Sequence, residues 1–155
     1  NPAPARQDIP EDLFPLVDVI TPNETELSVL TGGPAGTVEE IEQSAKLLLQ
    51  KGVRNVVVTL GARGSLIVNQ NGALLVPARK VSAVDTTGAG DCFNGVLAVA
   101  LSAGMPLEKA VLRANLAASI SVTRRGALTS MPTLEDLESL WQMFSRDDMS
   151  YVAEG

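Results

Sequence analysis

An α/β layered domain with a largely parallel sheet is the fold class that the sequence predicts. Strand-like and helix-like stretches alternate through the first half of the chain. The stretch at 54–60, RNVVVTL, is nearly continuous and β-branched, as expected of a strand buried on both faces. The 155 residues, 45% hydrophobic and 19% charged, make one domain able to bury roughly 68–70% of its unfolded surface.

The elements follow in order. Residues 16–20, LVDVI, read as a strand that Pro22 stops. Residues 23–30 form a short helix ended by Thr31, Gly32 and Gly33. A longer helix follows, with Thr37 as N-cap and Glu40 three residues on, the spacing of a capping box. Its apolar residues Ile41, Ala45, Leu48 and Leu49 recur at helical spacing, and Gly52 supplies a left-handed stop. Residues 65–68 and 73–76 flank NQNG and read as a hairpin. After Val84 the pattern turns helical. Residues 91–103 are apolar almost all round, which predicts a central, buried helix. Residues 106–122 repeat Leu107, Ala110, Val111, Ala114, Ala117 and Ala118, a small-residue face suited to close packing. Residues 133–144 repeat Leu134, Leu137, Leu140, Trp141 and Phe144, with Thr133 as cap, and a polar tail follows.

Composition narrows the function. With 12 basic and 18 acidic side chains the chain carries −6, which argues against nucleic-acid and anionic-membrane surfaces. Histidine is absent, excluding imidazole-based triads, switches and metal sites. The single cysteine, Cys92, forms no internal disulfide and, without histidine, no structural zinc site; a reducing, cytoplasmic setting is expected. The longest apolar run, residues 95–104, is far short of the ~20 residues that span a bilayer. The opening NPAP is not a signal peptide and lacks Met, so Asn1 is expected to be a cut rather than a native start.

The most informative stretch is DTTGAGD at 85–91, running straight into the apolar helix. Gly88, Ala89 and Gly90 have little or no side chain, so their N–H groups can face a ligand at a helix N-terminus, where the dipole favours negative charge. Asp91 places a carboxylate beside that anion site. Two negative groups there make sense if the aspartate accepts a proton from an attacking hydroxyl, a phosphoryl-transfer constellation. The bland alternative is a glycine turn followed by an ordinary first-turn acid; the rigid helix behind it favours the functional reading. No Gly-Lys-Ser/Thr follows, so it is not a Walker A loop, and the third glycine of the dinucleotide fingerprint is missing.

Two further stretches lie after strands. Asn23 and Glu26 have capping-box spacing; a functional reading puts Glu26 near a phosphate-bound Mg²⁺, through water. Thr59, Leu60, Gly61, Ala62, Arg63 and Gly64 make a glycine turn at the carboxyl end of the most hydrophobic strand, where open α/β sheets bind ligands, or simply a tight turn. Arg124 and Arg125 are either an anion clamp or a solvated pair. Asn115, inside an apolar helix, is either a satisfied core amide or a ligand contact.

Together these stretches resemble the ribokinase-type carbohydrate kinases, the phosphofructokinase-B-like family. DTTGAGDCFNG at 85–95 is similar to the family's C-terminal signature, and TPNETE at 21–26 to its Asn-x-x-Glu motif. NPAPA at 1–5, VTLGARG at 58–64 and VTRRGA at 122–127 resemble its ribokinase branch. The resemblance runs to about Trp141 and implies a ribokinase-like α/β/α fold, with residues 1–145 as the ATP-binding, catalytic half and 146–155 as the tail. It implies Asp91 as base toward a sugar's primary hydroxyl, most simply D-ribose, and Gly88, Ala89 and Gly90 as anion hole. Asn23, Thr59, Leu60, Gly61, Ala62, Arg63, Gly64 and Asn115 would line the ATP site, and Glu26 would organise Mg²⁺. An activating K⁺ would sit among Asp85, Thr87, Ser121, Arg124, Gly126 and Ser130, bracing the loop that ends in the anion hole. Gly88 departs from members with alanine there, a change expected to have little effect. ATP and a small sugar are the implied partners, and the full-length enzyme is expected to be a homodimer.

The family's N-terminal half, with the sugar pocket and β-lid, has no counterpart here, so the chain is expected to be a piece of a longer protein. Alone it should associate through an exposed strand edge and show negligible sugar kinase activity. Two alternatives remain: a kinase for fructose, a nucleoside or a vitamin alcohol, and a non-catalytic nucleotide-binding module. Asp91 and Glu26 argue against the last, since a pure binder needs neither.

Overall fold

A computed structural model describes residues 1–147, with side chains described through Phe144. Two compact units divide the chain, Asn1–Ala78 and Arg79–Gly155. Of the tail expected at 146–155, residues 148–155 lie outside the described residues.

The first unit is a four-stranded sheet in the order β1-β2-β3-β4, with β1 at Val19–Ile20, β2 at Asn55–Thr59, β3 at Ser65–Asn69 and β4 at Gly72–Val76. β1 is shorter than the expected 16–20. A 3-10 turn with Pro15 inside it occupies Glu11–Leu16 and leaves Leu16 78% exposed. Its pairing reaches further than its label: Asn55 N donates to Asp18 O at 3.0 Å and Thr59 N to Pro22 O at 3.0 Å. The sheet is mixed. Parallel character is confined to β1 against β2 and the Asn23–Thr59 bridge, whereas β2–β3 and β3–β4 are antiparallel. Short connections impose this: a two-residue loop, Gln70 and Asn71, joins β3 to β4, and parallel neighbours need a long crossover.

Helix α1, Glu24–Thr31, and helix α2, Val38–Gln50, each begin with a complete capping box, Asn23 with Glu26 and Thr37 with Glu40. Gly32, at φ 70, ends α1, and Gly52, at φ 105, follows α2. Leu27, Leu30, Ile41, Ala45 and Leu48 pack on the sheet face that carries Val56, Val58, Leu66 and Val68. Val56, Val57 and Val58 are all fully buried, as the unbroken apolar run required. Each such side chain contributes roughly 1.5–3 kcal/mol on burial.

Three helices make up the described part of the second unit: α3 at Ala89–Ser102, α4 at Leu107–Ser121 and α5 at Leu134–Asp147. Ala110, Ala114 and Ala117 of α4 are fully buried, their small side chains allowing α3 to approach closely. Cys92 joins Leu116, Ala117, Leu137 and Leu140 in one core cluster. Burial pushes the Cys92 thiol up. Thr133 caps α5, with Asp136 returning the bond to Thr133 N at 2.9 Å.

α3 differs from expectation. It buries Cys92, Phe93, Leu97 and Ala100, but Asp91, Gly95, Ala98 and Val99 are exposed, Val99 by 69%. Apolar content on every side does not ensure a cover on every side. Leu134, expected in the packed repeat of α5, is likewise 70% exposed. No described helix is long and apolar enough to cross a membrane.

Candidate active site

In the second unit the DTTGAGD stretch forms a turn that ends in α3. Gly88 is the N-cap, in the left-handed conformation at φ 78 and without a side-chain cap. A Cβ at Gly88 would lie 3.2 Å from Ala127 Cα and 3.3 Å from Ala127 O. Alanine at 88 is therefore strained and crowded in this backbone, in keeping with the expectation that glycine there costs little. Of the three proposed anion-hole residues, Ala89 already donates its N–H to Thr86 O at 3.2 Å. The amides of Gly90 and of Asp91, the third residue of the helix, have no acceptor among the described residues. They belong to the first turn, whose N–H groups point out of the helix. The exposed Asp91 carboxylate stands at the same turn.

Asp85 holds this turn to the loop after α4. Its Oδ1 accepts from Thr87 N at 2.9 Å and its Oδ2 from Gly126 N at 2.9 Å. The Gly126 amide foremost, then the Thr87 side chain and amide, lower its pKa to about 2. Val84 N and Asp85 N both donate to Val122 O, at 2.7 and 3.2 Å. Of the set implied for a monovalent cation, Asp85, Thr87 and Gly126 are thus directly joined.

The other members run from the last residue of α4, Ser121, into the α4–α5 connection. Ser121 and Ser130 are buried, donating to Ala118 O at 2.9 Å and Ala127 O at 3.0 Å. Arg124 is paired with Asp136 at 3.0 Å, so its charge is offset and its carbonyl is the group left to offer. Carboxylate, hydroxyl and carbonyl oxygens are the donors that hard cations take, and each oxygen engaged here keeps lone pairs. The residues fit a monovalent cation.

In the first unit, Asn23, Glu26 and residues 59–64 gather at the carboxyl ends of β1 and β2. Asn23 Oδ1 accepts from Glu26 N at 2.8 Å, and Glu26 Oε2 accepts from Asn23 N at 2.8 Å. The capping reading is therefore correct, and it leaves the Asn23 Nδ2 group and one Glu26 oxygen. A single half-buried carboxylate suits a water-mediated Mg²⁺ contact; the described residues contain no group of three or more Cys, Asp or Glu poised for direct chelation. Leu60 is buried, while Gly61, Ala62 and Arg63 form an exposed 3-10 turn closed by Leu60 N to Gly64 O at 2.8 Å. Gly64, at φ 99, needs to be glycine, since a Cβ would fall 2.1 Å from Val76 O.

Three features escape sequence reasoning. Arg63 forms an ion pair with Glu24, tying the glycine turn to α1. Ala127, an ordinary loop alanine, is the seat of Gly88. Asn94 donates its Nδ2 to Gly90 O at 2.9 Å; its place four residues after Gly90 was the available signal. Asn115 is buried on α4, in the second unit.

A family model described as pfkB family carbohydrate kinase matches residues 1–134. A deoxyribokinase of Salmonella typhi is 41% identical over 135 residues, which are 87% of this chain and 44% of that protein. Among solved structures, a ribokinase of Thermotoga maritima superposes with a TM-score of 0.82 at 46% identity, over 91% of this chain and 47% of that one. A ribokinase of Arabidopsis thaliana, complexed with ribose and ATP, gives a TM-score of 0.80 at 40% identity, over 85% and 43%. The fold is that of the matching portions of these proteins. The chain spans less than half the length of each of these relatives.

Proposed function

The chain belongs to the pfkB family of carbohydrate kinases, and from that premise we propose that it is the nucleotide-binding, phosphoryl-transferring part of an enzyme that phosphorylates a sugar on its primary hydroxyl with ATP. D-ribose giving ribose 5-phosphate is the proposed reaction. The observation that carries it is the Gly88–Asp91 turn, where the unengaged amides of Gly90 and Asp91 open a helix that also bears the exposed Asp91 carboxylate.

In this mechanism the amides of the turn take up the negative charge of the migrating phosphoryl group, and Ala89 contributes mainly by closing the turn through Thr86. Asp91 orients the attacking hydroxyl and accepts its proton. Phosphoryl transfer is loose, and the hydroxyl needs little deprotonation until late. Orientation and charge neutralisation therefore carry most of the rate. Asn23, residues 59–64 and Asn115 serve nucleotide binding. Glu26 would hold Mg²⁺ through water, and the ion would supply charge to offset the phosphates. Asp85, Thr87, Ser121, Arg124, Gly126 and Ser130 would hold K⁺, whose charge would steady the loop on which Gly88 rests.

The 41% identity to a deoxyribokinase favours a second reading, 2-deoxyribose as acceptor. A panel of ribose, deoxyribose, fructose and nucleosides, assayed with the longer protein that contains this chain, distinguishes them. Ribose is expected to give the highest kcat/KM; a higher value for any other acceptor replaces it, and no turnover with any sugar overturns the kinase proposal.

A further inference from the structure

We infer that Asn94 is a positioning residue for the phosphoryl-binding turn, its Nδ2 bond to Gly90 O holding the Gly90–Asp91 peptide so that the Asp91 N–H faces the incoming phosphate. The inference rests on the kinase reading above. That bond is 2.9 Å long. Gly90 lies within α3, where its carbonyl is also the acceptor of the helix ladder. The Asn94 side chain adds a second bond to that oxygen. Because the carbonyl and the Asp91 N–H are two ends of one planar peptide group, this bond stiffens the direction of the N–H.

A second observation concerns Gly90 itself. It lies in the first turn of α3 without a positive φ, and a Cβ placed on it would meet nothing within 4 Å. The fold does not require glycine there, and glycine weakens a helix relative to alanine. Gly88 is different, demanded by its φ of 78 and by Ala127. A bare Cα in open space, at a position where the fold would do better with a side chain, is explained by a group from outside the chain that must approach the backbone. The peptide that Asn94 pins is the one that begins at this residue.

Asparagine is itself a poor helix former, because its side chain competes for nearby backbone groups. Here that competition is put to use, four residues back, on the carbonyl whose peptide borders the proposed phosphate.

The test measures dissociation constants of MgATP and MgADP for the longer protein that contains this chain and for its Asn94→Ala, Asn94→Ser and Gly90→Ala variants, with thermal unfolding alongside. Asn94→Ala is expected to melt no lower than the parent, alanine being the better helix former. It should lose roughly fivefold to tenfold in MgATP affinity, the scale of one hydrogen bond, with MgADP unchanged. Asn94→Ser, whose hydroxyl can donate to the same carbonyl, should recover most of the loss. Gly90→Ala should melt higher and bind MgATP more weakly. A folded Asn94→Ala or Gly90→Ala that keeps the parent's ratio of MgATP to MgADP affinity overturns the inference alone. A parent protein that binds no MgATP overturns the kinase reading and the inference with it.

Discussion

Gly88 and Asp85, three residues apart, set the same turn by different means. Gly88→Ala forces a left-handed residue to carry a Cβ against Ala127 and is expected to lower stability by about 1–2 kcal/mol; urea unfolding at unchanged m-value checks this. Asp85 acts through charge. Its folded pKa of about 2 lies below the roughly 3.9 of an unfolded aspartate, so the unfolded state binds the proton first. The stability it contributes is complete above about pH 4 and fades as pH falls toward 2. Asp85→Asn should be less stable at neutral pH and should flatten the acid limb of the stability profile across that window, read by urea midpoints at stepped pH. Asp91 touches no other residue through a hydrogen bond of its carboxylate among the described residues, so its removal should spare the fold. In the longer enzyme Asp91→Asn is expected to keep MgATP binding while turnover falls about 10²- to 10⁴-fold, the range for loss of a positioned proton acceptor. Equal turnover in mutant and parent removes Asp91 from the mechanism.

Two capping boxes separate structural from functional roles among helix starts. Thr37→Ala, at α2, should cost about 1 kcal/mol and leave MgATP affinity untouched. Asn23→Ala removes an equivalent cap from α1 and should show the same loss of stability together with weaker MgATP binding. Calorimetric titration beside thermal melts distinguishes the two outcomes. Elements of this kind were legible before any coordinates, because a cap, its partner three residues on and a closing glycine lie within a few residues of one another. The hairpin at 65–76 was legible for the same reason. β1 was not: Pro15 and the preceding 3-10 turn hold Leu16 out of the strand that its composition suggests. Nor was the exposed side of α3, since the hydrophobicity of Val99 says how it would prefer to be covered and not whether anything covers it.

At the scale of the whole molecule, the chain spans less than half of its relatives, and β1 and β4 stand at the two edges of its sheet. Among the described residues β1 pairs with a strand on one side alone, β2, and an edge of that kind recruits another strand. Sedimentation of the 155-residue chain is expected to show concentration-dependent association, with negligible ribose kinase turnover; a monomer with turnover like that of a full-length ribokinase overturns both. The α/β class, the capped helix starts and the glycine-to-aspartate turn were all readable from residue order, because they depend on contacts between near neighbours. Packing alone brought Gly126 to Asp85 across 41 residues and Arg63 to Glu24 across 39. It alone separated the glycine that the backbone demands, Gly88, from the glycine that the fold leaves free, Gly90. Spacing encodes what meets within a turn or two of chain; which distant segments meet depends on how the helices and strands fill space together, and no local pattern carries that.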